Sequence, residues 1–182
     1  MKTIKLLLTA VTFLATLALA APAAPDAIDQ KKLTAEVEDA IKAFKAADGS
    51  LKEIFKKAVG YAVFPTAGKG GFILGGAHGT GQVYEGGKLI GTAKMTQVTF
   101  GAQIGGQAFA EIIFFETKEA LTKFKQADFS LSAQLSAVAA AEGASMNAKY
   151  VDGVMVFTKA KSGLMAEATV GGQKFSFEPL TP

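Results

Sequence analysis

The sequence predicts an α+β domain: two N-terminal helices packed on a strongly curled antiparallel β-sheet or small β-barrel, with one inserted helix. Three observations point there. Apolar side chains recur at helical spacing between Lys31 and Val59. After Gly60 the texture changes to short runs of Val, Ile, Phe, Tyr and Thr divided by glycine-rich turns. Gly105-Gly106 then interrupts a long alternating segment, where a bulge or sharp bend lets a small sheet curl toward closure.

The chain starts with a segment that does not belong to that fold. Lys2 and Lys5 precede an apolar run from Leu6 to Leu19, and Ala18-Leu19-Ala20 offers a small-x-small cleavage site before Ala21. Residues 1–20 therefore read as a secretory signal, the alternative being an uncleaved anchor, for which the apolar run falls short of the roughly 20 residues that span a bilayer. The expected location after cleavage near Ala20 is periplasmic or secreted. Residues 21–30, with two prolines and little to pack, read as a flexible linker. Residues 31–182 form a single domain.

Within it, Leu33, Val37, Ala40, Ile41 and Phe44 share one helical face, and Gly49 ends that helix. Ser50 caps a second one, with Glu53 in capping-box position and Leu51, Ile54, Phe55 and Ala58 as its stripe, until Gly60 stops it. Glu85-Gly86-Gly87-Lys88 and Gly171-Gly172 mark hairpin turns. In Gly101 to Phe115, Gln103, Gly105, Gln107, Phe109 and Glu111 share one parity and Ala102, Ile104, Ala108, Ala110, Ile112 and Phe114 the other, which predicts one apolar and one mostly small and polar face. Thr117 caps an inserted helix to Gln126, with Ala120, Leu121 and Phe124 inward. Strict alternation makes Ser130 to Ala137 a strand despite its alanines, and Val151 to Thr158, Gly163 to Val170 and Gln173 to Phe177 read as a terminal meander.

Composition removes most reagents of catalysis. The 182 residues contain no cysteine, one histidine (His78), and 19 basic side chains that are all lysine. Disulfides, thiolate nucleophiles, Cys/His zinc sites and guanidinium recognition of phosphate are thereby excluded. The formal charge of +3 falls to +1 without the two lysines of residues 1–20, so nucleic acid is a poor partner. No cofactor is implied. The glycines around Lys69 and His78 match neither a Walker loop nor Gly-x-Gly-x-x-Gly opening a helix, and read as turns, bulges and close strand approach. His78 has no nucleophile elbow beside it, and no carboxylate pair is placed by a motif. The chain is read as non-enzymatic.

Two binding constellations remain. Lys52, Lys56 and Lys57 flank Leu51, Ile54 and Phe55, and Lys69 and Phe72 follow in a glycine loop; basic plus apolar suits an anionic membrane surface, the plain alternative being a core helix with solvated lysines. Gln103, Gln107 and Glu111, if they line the inside of a curled sheet, suit the polar end of a small apolar ligand, or else satisfy one another.

The run Leu51-Lys-Glu-Ile-Phe-Lys-Lys-Ala-Val-Gly-Tyr-Ala-Val-Phe-Pro65, with Lys69-Gly-Gly-Phe72, Gly75-Gly76, Gly79-Thr-Gly81 and Phe100-Gly-Ala-Gln-Ile-Gly-Gly106, resembles the SYLF domain family. The resemblance spans roughly Leu33 to Phe177. It implies a non-catalytic module that binds phospholipid, with some eukaryotic members binding actin. The chain departs from the family at its aspartate-glycine-x-tryptophan-serine turn, where Glu85-Gly-Gly-Lys-Leu-Ile-Gly91 stands, and it lacks tryptophan and arginine altogether. Export makes actin an unlikely partner and envelope phospholipid a more natural one than phosphoinositide. The expectation is an exported lipid-binding domain using Lys52, Phe55, Lys56, Lys57, Lys69 and Phe72. A carrier of a small apolar ligand and an envelope protein that self-associates through sheet edges are the alternatives.

Overall fold

A computed structural model of the chain describes residues 29–70, 74–100, 108–126, 129–132, 135–161, 168–169 and 172–180. The leader (1–20), the linker up to residue 28, Phe72, Gln103, Gln107 and the Gly105-Gly106 pair lie outside the described residues, as do 163–167.

Helix α1 (Gln30–Ala47) begins one residue after Asp29, whose Oδ1 accepts the N–H groups of Lys31 and Lys32, both at 3.1 Å. Asp29 is thus a helix cap that fills two of the donors left open by the first turn. Leu33, Val37, Ala40 and Phe44 are buried along one stripe, as their spacing predicts. Helix α2 (Leu51–Lys57) lacks the expected capping box: Ser50 is itself in helical conformation and its hydroxyl turns back to the buried Asp48 carboxylate, while Glu53 pairs with Lys56 at 2.7 Å. A carboxylate is the stronger acceptor, and it claims the hydroxyl.

Among the described residues, Gly60 opens the first of nine strands: β1 (Gly60–Gly70), β2 (Leu74–Glu85), β3 (Lys88–Phe100), β4 (Ala108–Phe115), β5 (Phe129–Ser130), β6 (Ser136–Ala139), β7 (Val154–Ala160), β8 (Ala168–Thr169) and β9 (Lys174–Pro179). Helix α3 (Lys118–Phe124) follows β4, its cap Thr117 accepting from Ala120 N–H at 3.2 Å. The sheet runs β5-β9-β3-β2-β1-β4-β7-β6-β8. Gly86 and Gly87, both at positive φ, make the predicted two-residue turn between β2 and β3, with Glu85 opposite Lys88.

Several expectations need correction. Ser130 to Ala137 contributes to two short strands rather than one, and β6 pairs with β7 in parallel, so the sheet is mixed. Asp152 and Gly153, at φ 52° and 75°, form a tight turn closed by mutual Val151 and Val154 backbone bonds, and β7 therefore starts at Val154. The polar face expected on β4 is absent there: every residue from Phe109 to Phe115 is buried. β4 is covered on both sides.

One cover is the helix pair. Leu33, Val37, Phe44 and Leu51 pack with Val63, Ile112, Phe114, Met155 and Phe157 on the outer face of the sheet. The opposite face carries Phe64, Met95, Phe109, Ile113, Phe115 and Phe175, closed over by Ala120, Leu121 and Phe124 of α3. This inner face is concave. Phe64 on β1 and Phe175 on β9 are separated by two intervening strands, a span of about 14 Å in a flat sheet, yet their ring centroids lie 5.6 Å apart. The result is an open half-barrel with β5 and β8 as the outermost strands among the described residues.

Candidate functional site

Helix α2 splits into two sides. Leu51 is buried, Ile54 and Phe55 are half-buried, and Lys52, Glu53, Lys56 and Lys57 are exposed. The Phe55 ring meets Tyr61 edge-on at 5.0 Å and Phe114 at 4.8 Å, and Lys45 Nζ sits 4.4 Å above it. These contacts tie Phe55 to the frame, so it anchors the helix. Lys56 bonds Glu53, which together with the Lys56 charge holds that carboxyl below its ordinary range.

The position of α2 is fixed from behind by a network that local sequence does not announce. Asp48, 1% exposed, accepts Ser50 N–H at 3.0 Å through Oδ1 and Ser145 N–H at 2.7 Å through Oδ2. The Ser50 hydroxyl also contacts the Asp48 carboxylate and the Ser145 hydroxyl. Burial pushes the Asp48 carboxyl upward, but the bonds from Ser50 and Ser145 outweigh it and hold the group at about 2. A second buried polar pair seats α1: Gln82, fully buried on β2, donates to Thr34 Oγ1 at 2.8 Å and accepts from the Tyr84 hydroxyl at 2.7 Å. Burial is the largest of the influences that push that hydroxyl up, to about 12.

Four of the six expected lipid-site residues lie together on α2. Lys52, Phe55, Lys56 and Lys57 lie just before Gly60, at one end of β1, whereas the backbone of Lys69 lies at the other, up to about 30 Å away at about 3.3 Å per residue. Phe72, beyond Lys69, is outside the described residues. The chain between the two groups is extended strand, which separates them.

Of the expected ligand-lining set, Glu111 alone is described. It is fully buried on the concave face, opposite Phe64 and Thr158, and its Oε2 accepts from Gln173 Nε2 at 3.0 Å. Thr158, Gln97 and Gln173 are buried as well. Gln173, the residue before β9, gave no sequence signal of its bond to Glu111. His78 is exposed on β2 beside an open groove of about 370 Å³ lined with Thr66, Thr80, Lys94 and Thr96. The glycines near it act sterically: a Cβ at Gly81 would fall 2.4 Å from Val63 O and 2.7 Å from Phe64 Cδ1. Among the described residues no cluster of three or more His, Cys, Asp or Glu side chains suits a metal ion, and no helix is long and apolar enough to cross a membrane.

The family model described as "Ysc84: Las17-binding protein actin regulator" matches residues 96–179. This chain belongs to the SYLF family. Among relatives of this SYLF chain, Beta cell expansion factor A of Aeromonas veronii is 31% identical over 129 residues, which is 69% of this chain and 48% of that protein. The SYLF chain thus spans about half the length of the curated relative it matches. The family match starts within β3 and ends at the last residue of β9, so α1, α2, β1 and β2 precede it.

Proposed function

We propose that the protein is an exported, periplasmic or secreted, non-enzymatic domain that binds phospholipid at the cell envelope, and that α2 is its docking face. The observation that carries this reading is the division of α2: three lysines stand in solvent on one side while Leu51, Ile54 and Phe55 hold the other side to the sheet. SYLF membership supports it, since lipid binding is a property of the family. At roughly 1 kcal/mol per lysine near an anionic leaflet, Lys52, Lys56 and Lys57 supply about 3 kcal/mol, less what the Glu53 pair withdraws. That is weak, salt-sensitive attachment, steered by charge.

The actin regulation named by the family description is not carried over to this chain, because the leader reading takes it out of the cytoplasm. The carrier reading gains no support from Glu111, one of whose oxygens is engaged by Gln173 within a phenylalanine-packed interior. The test is co-sedimentation of the purified protein with anionic and zwitterionic vesicles at low and high salt. Selective pelleting with anionic vesicles at low salt is expected; equal, negligible pelleting everywhere refutes the reading.

A further inference from the structure

The 3-10 turn Ala144–Met146 belongs to a segment that flanks the helix pair on the outer face, where Val138, Ala140, Ala148 and Tyr150 pack against the same apolar cluster as Phe55 and Ile54. Met146 in this turn is 77% exposed, well beyond the other large exposed hydrophobics among the described residues, Leu180 at 44% and Val151 at 40%. A single exposed apolar side chain is ordinary on a protein surface. Two features set this one apart.

The first is rigidity. Gly143, at φ 74°, starts the turn, Met146 N–H bonds Gly143 O at 3.2 Å and Ala148 N–H bonds Ser145 O at 3.3 Å. Ser145, the residue before Met146, is 6% exposed and anchored through its N–H to Asp48. The thioether is therefore held out into solvent by a buried polar lock. The second is its neighbourhood. Ser145 touches Ser50, the residue before α2, so Met146 stands at the N-terminal end of the helix that carries Lys52, Lys56 and Lys57, with exposed Lys149 close by in its own segment. An apolar side chain on the segment that bears exposed Lys149, next to the start of the helix that bears Lys52, is complementary to an anionic bilayer, whose phosphates meet the lysines while the thioether passes below them.

We infer that Met146 is the apolar group that inserts into an anionic phospholipid surface when the α2 lysines dock, the role that Phe55, packed against Tyr61 and Phe114, is not free to fill. This inference rests on the lipid-binding reading and assigns its wedge.

The chain contains no tryptophan, so Met146→Trp creates a sole indole reporter. On vesicles of mixed phosphatidylglycerol and phosphatidylcholine its emission should shift to the blue and be quenched by brominated acyl chains. Met146→Ser should weaken co-sedimentation about tenfold, the scale expected for burying a methionine side chain, with an unchanged melting temperature. Sedimentation of Met146→Trp without any emission shift, or full binding by Met146→Ser, overturns the inference and leaves the lipid reading standing. Failure of the unaltered protein to sediment overturns both.

Discussion

The Asp48 carboxylate accepts the backbone N–H of Ser145 at 2.7 Å, joining residues 97 apart in sequence and pinning the segment that bears Met146 to the turn between α1 and α2. Asp48→Ala strips partners from the N–H groups of Ser50 and Ser145. Leaving buried donors unpaired should destabilise the fold by about 2 to 3 kcal/mol in urea unfolding at neutral pH. A variant as stable as the parent would show that the lock is dispensable.

The same carboxylate sets an acid limit. Its folded value of about 2 lies below the ordinary 3.8, so the charged form is the one that the fold prefers. Its contribution is complete above about 3.8 and lost as pH falls through about 2. Urea midpoints of parent and Asp48→Asn measured from pH 6 downward should converge toward the acid end. A gap that stays constant across that range would assign the effect of the substitution to shape instead of charge.

Gly81 lies where β2 passes close to β1. Alanine there places a Cβ 2.4 Å from Val63 O, a backbone atom with no room to yield. We expect Gly81→Ala to lower stability by about 2 kcal/mol or more, the scale of overpacking a tight interior, read as a fall in melting temperature. Gly87→Ala loses only a favourable φ at an open turn and should fall less.

Phe124 closes the concave face, with ring centroids 4.9 Å from Phe115, 5.4 Å from Phe129 and 5.3 Å from Phe175. Phe124→Ala should cost about 3 to 5 kcal/mol. Thr117→Ala, which removes the cap of the same helix, should cost about 1 kcal/mol. Equal losses in denaturant titrations would mean that α3 does not plug the half-barrel as described.

Elements governed by local rules were legible in the sequence. The 3.6-residue spacing of Leu33, Val37, Ala40 and Phe44 and the cap-and-stripe pattern of Thr117 to Phe124 located two helices, and Gly86-Gly87 located a hairpin because such turns need positive φ twice. What escaped depends on partners far away in the chain. Nothing near Phe109 says that the curl of the sheet will enclose its side of β4 with Phe64, Phe175 and α3, so β4 reads as one-sided. The parallel pairing of β6 with β7 and the Asp48–Ser145 bond are equally non-local. In the candidate site, Lys52, Lys56 and Lys57 stand out by helical spacing alone. The separation of their backbone from that of Lys69 follows only once the intervening residues are known to form β1, and the anchoring of Phe55 only once Tyr61 and Phe114 are known to meet it.

The proposed attachment of the domain to anionic phospholipid runs through the charged side of α2. The most direct measurement compares the parent with Lys52→Gln/Lys56→Gln/Lys57→Gln on phosphatidylglycerol-containing vesicles at low salt, with melting temperatures taken alongside. Removing about 3 kcal/mol of attraction should weaken binding by at least about tenfold, allowing for screening, while the fold melts where the parent does. Undiminished binding by a folded triple variant would contradict the claim and move the membrane contact elsewhere on the molecule.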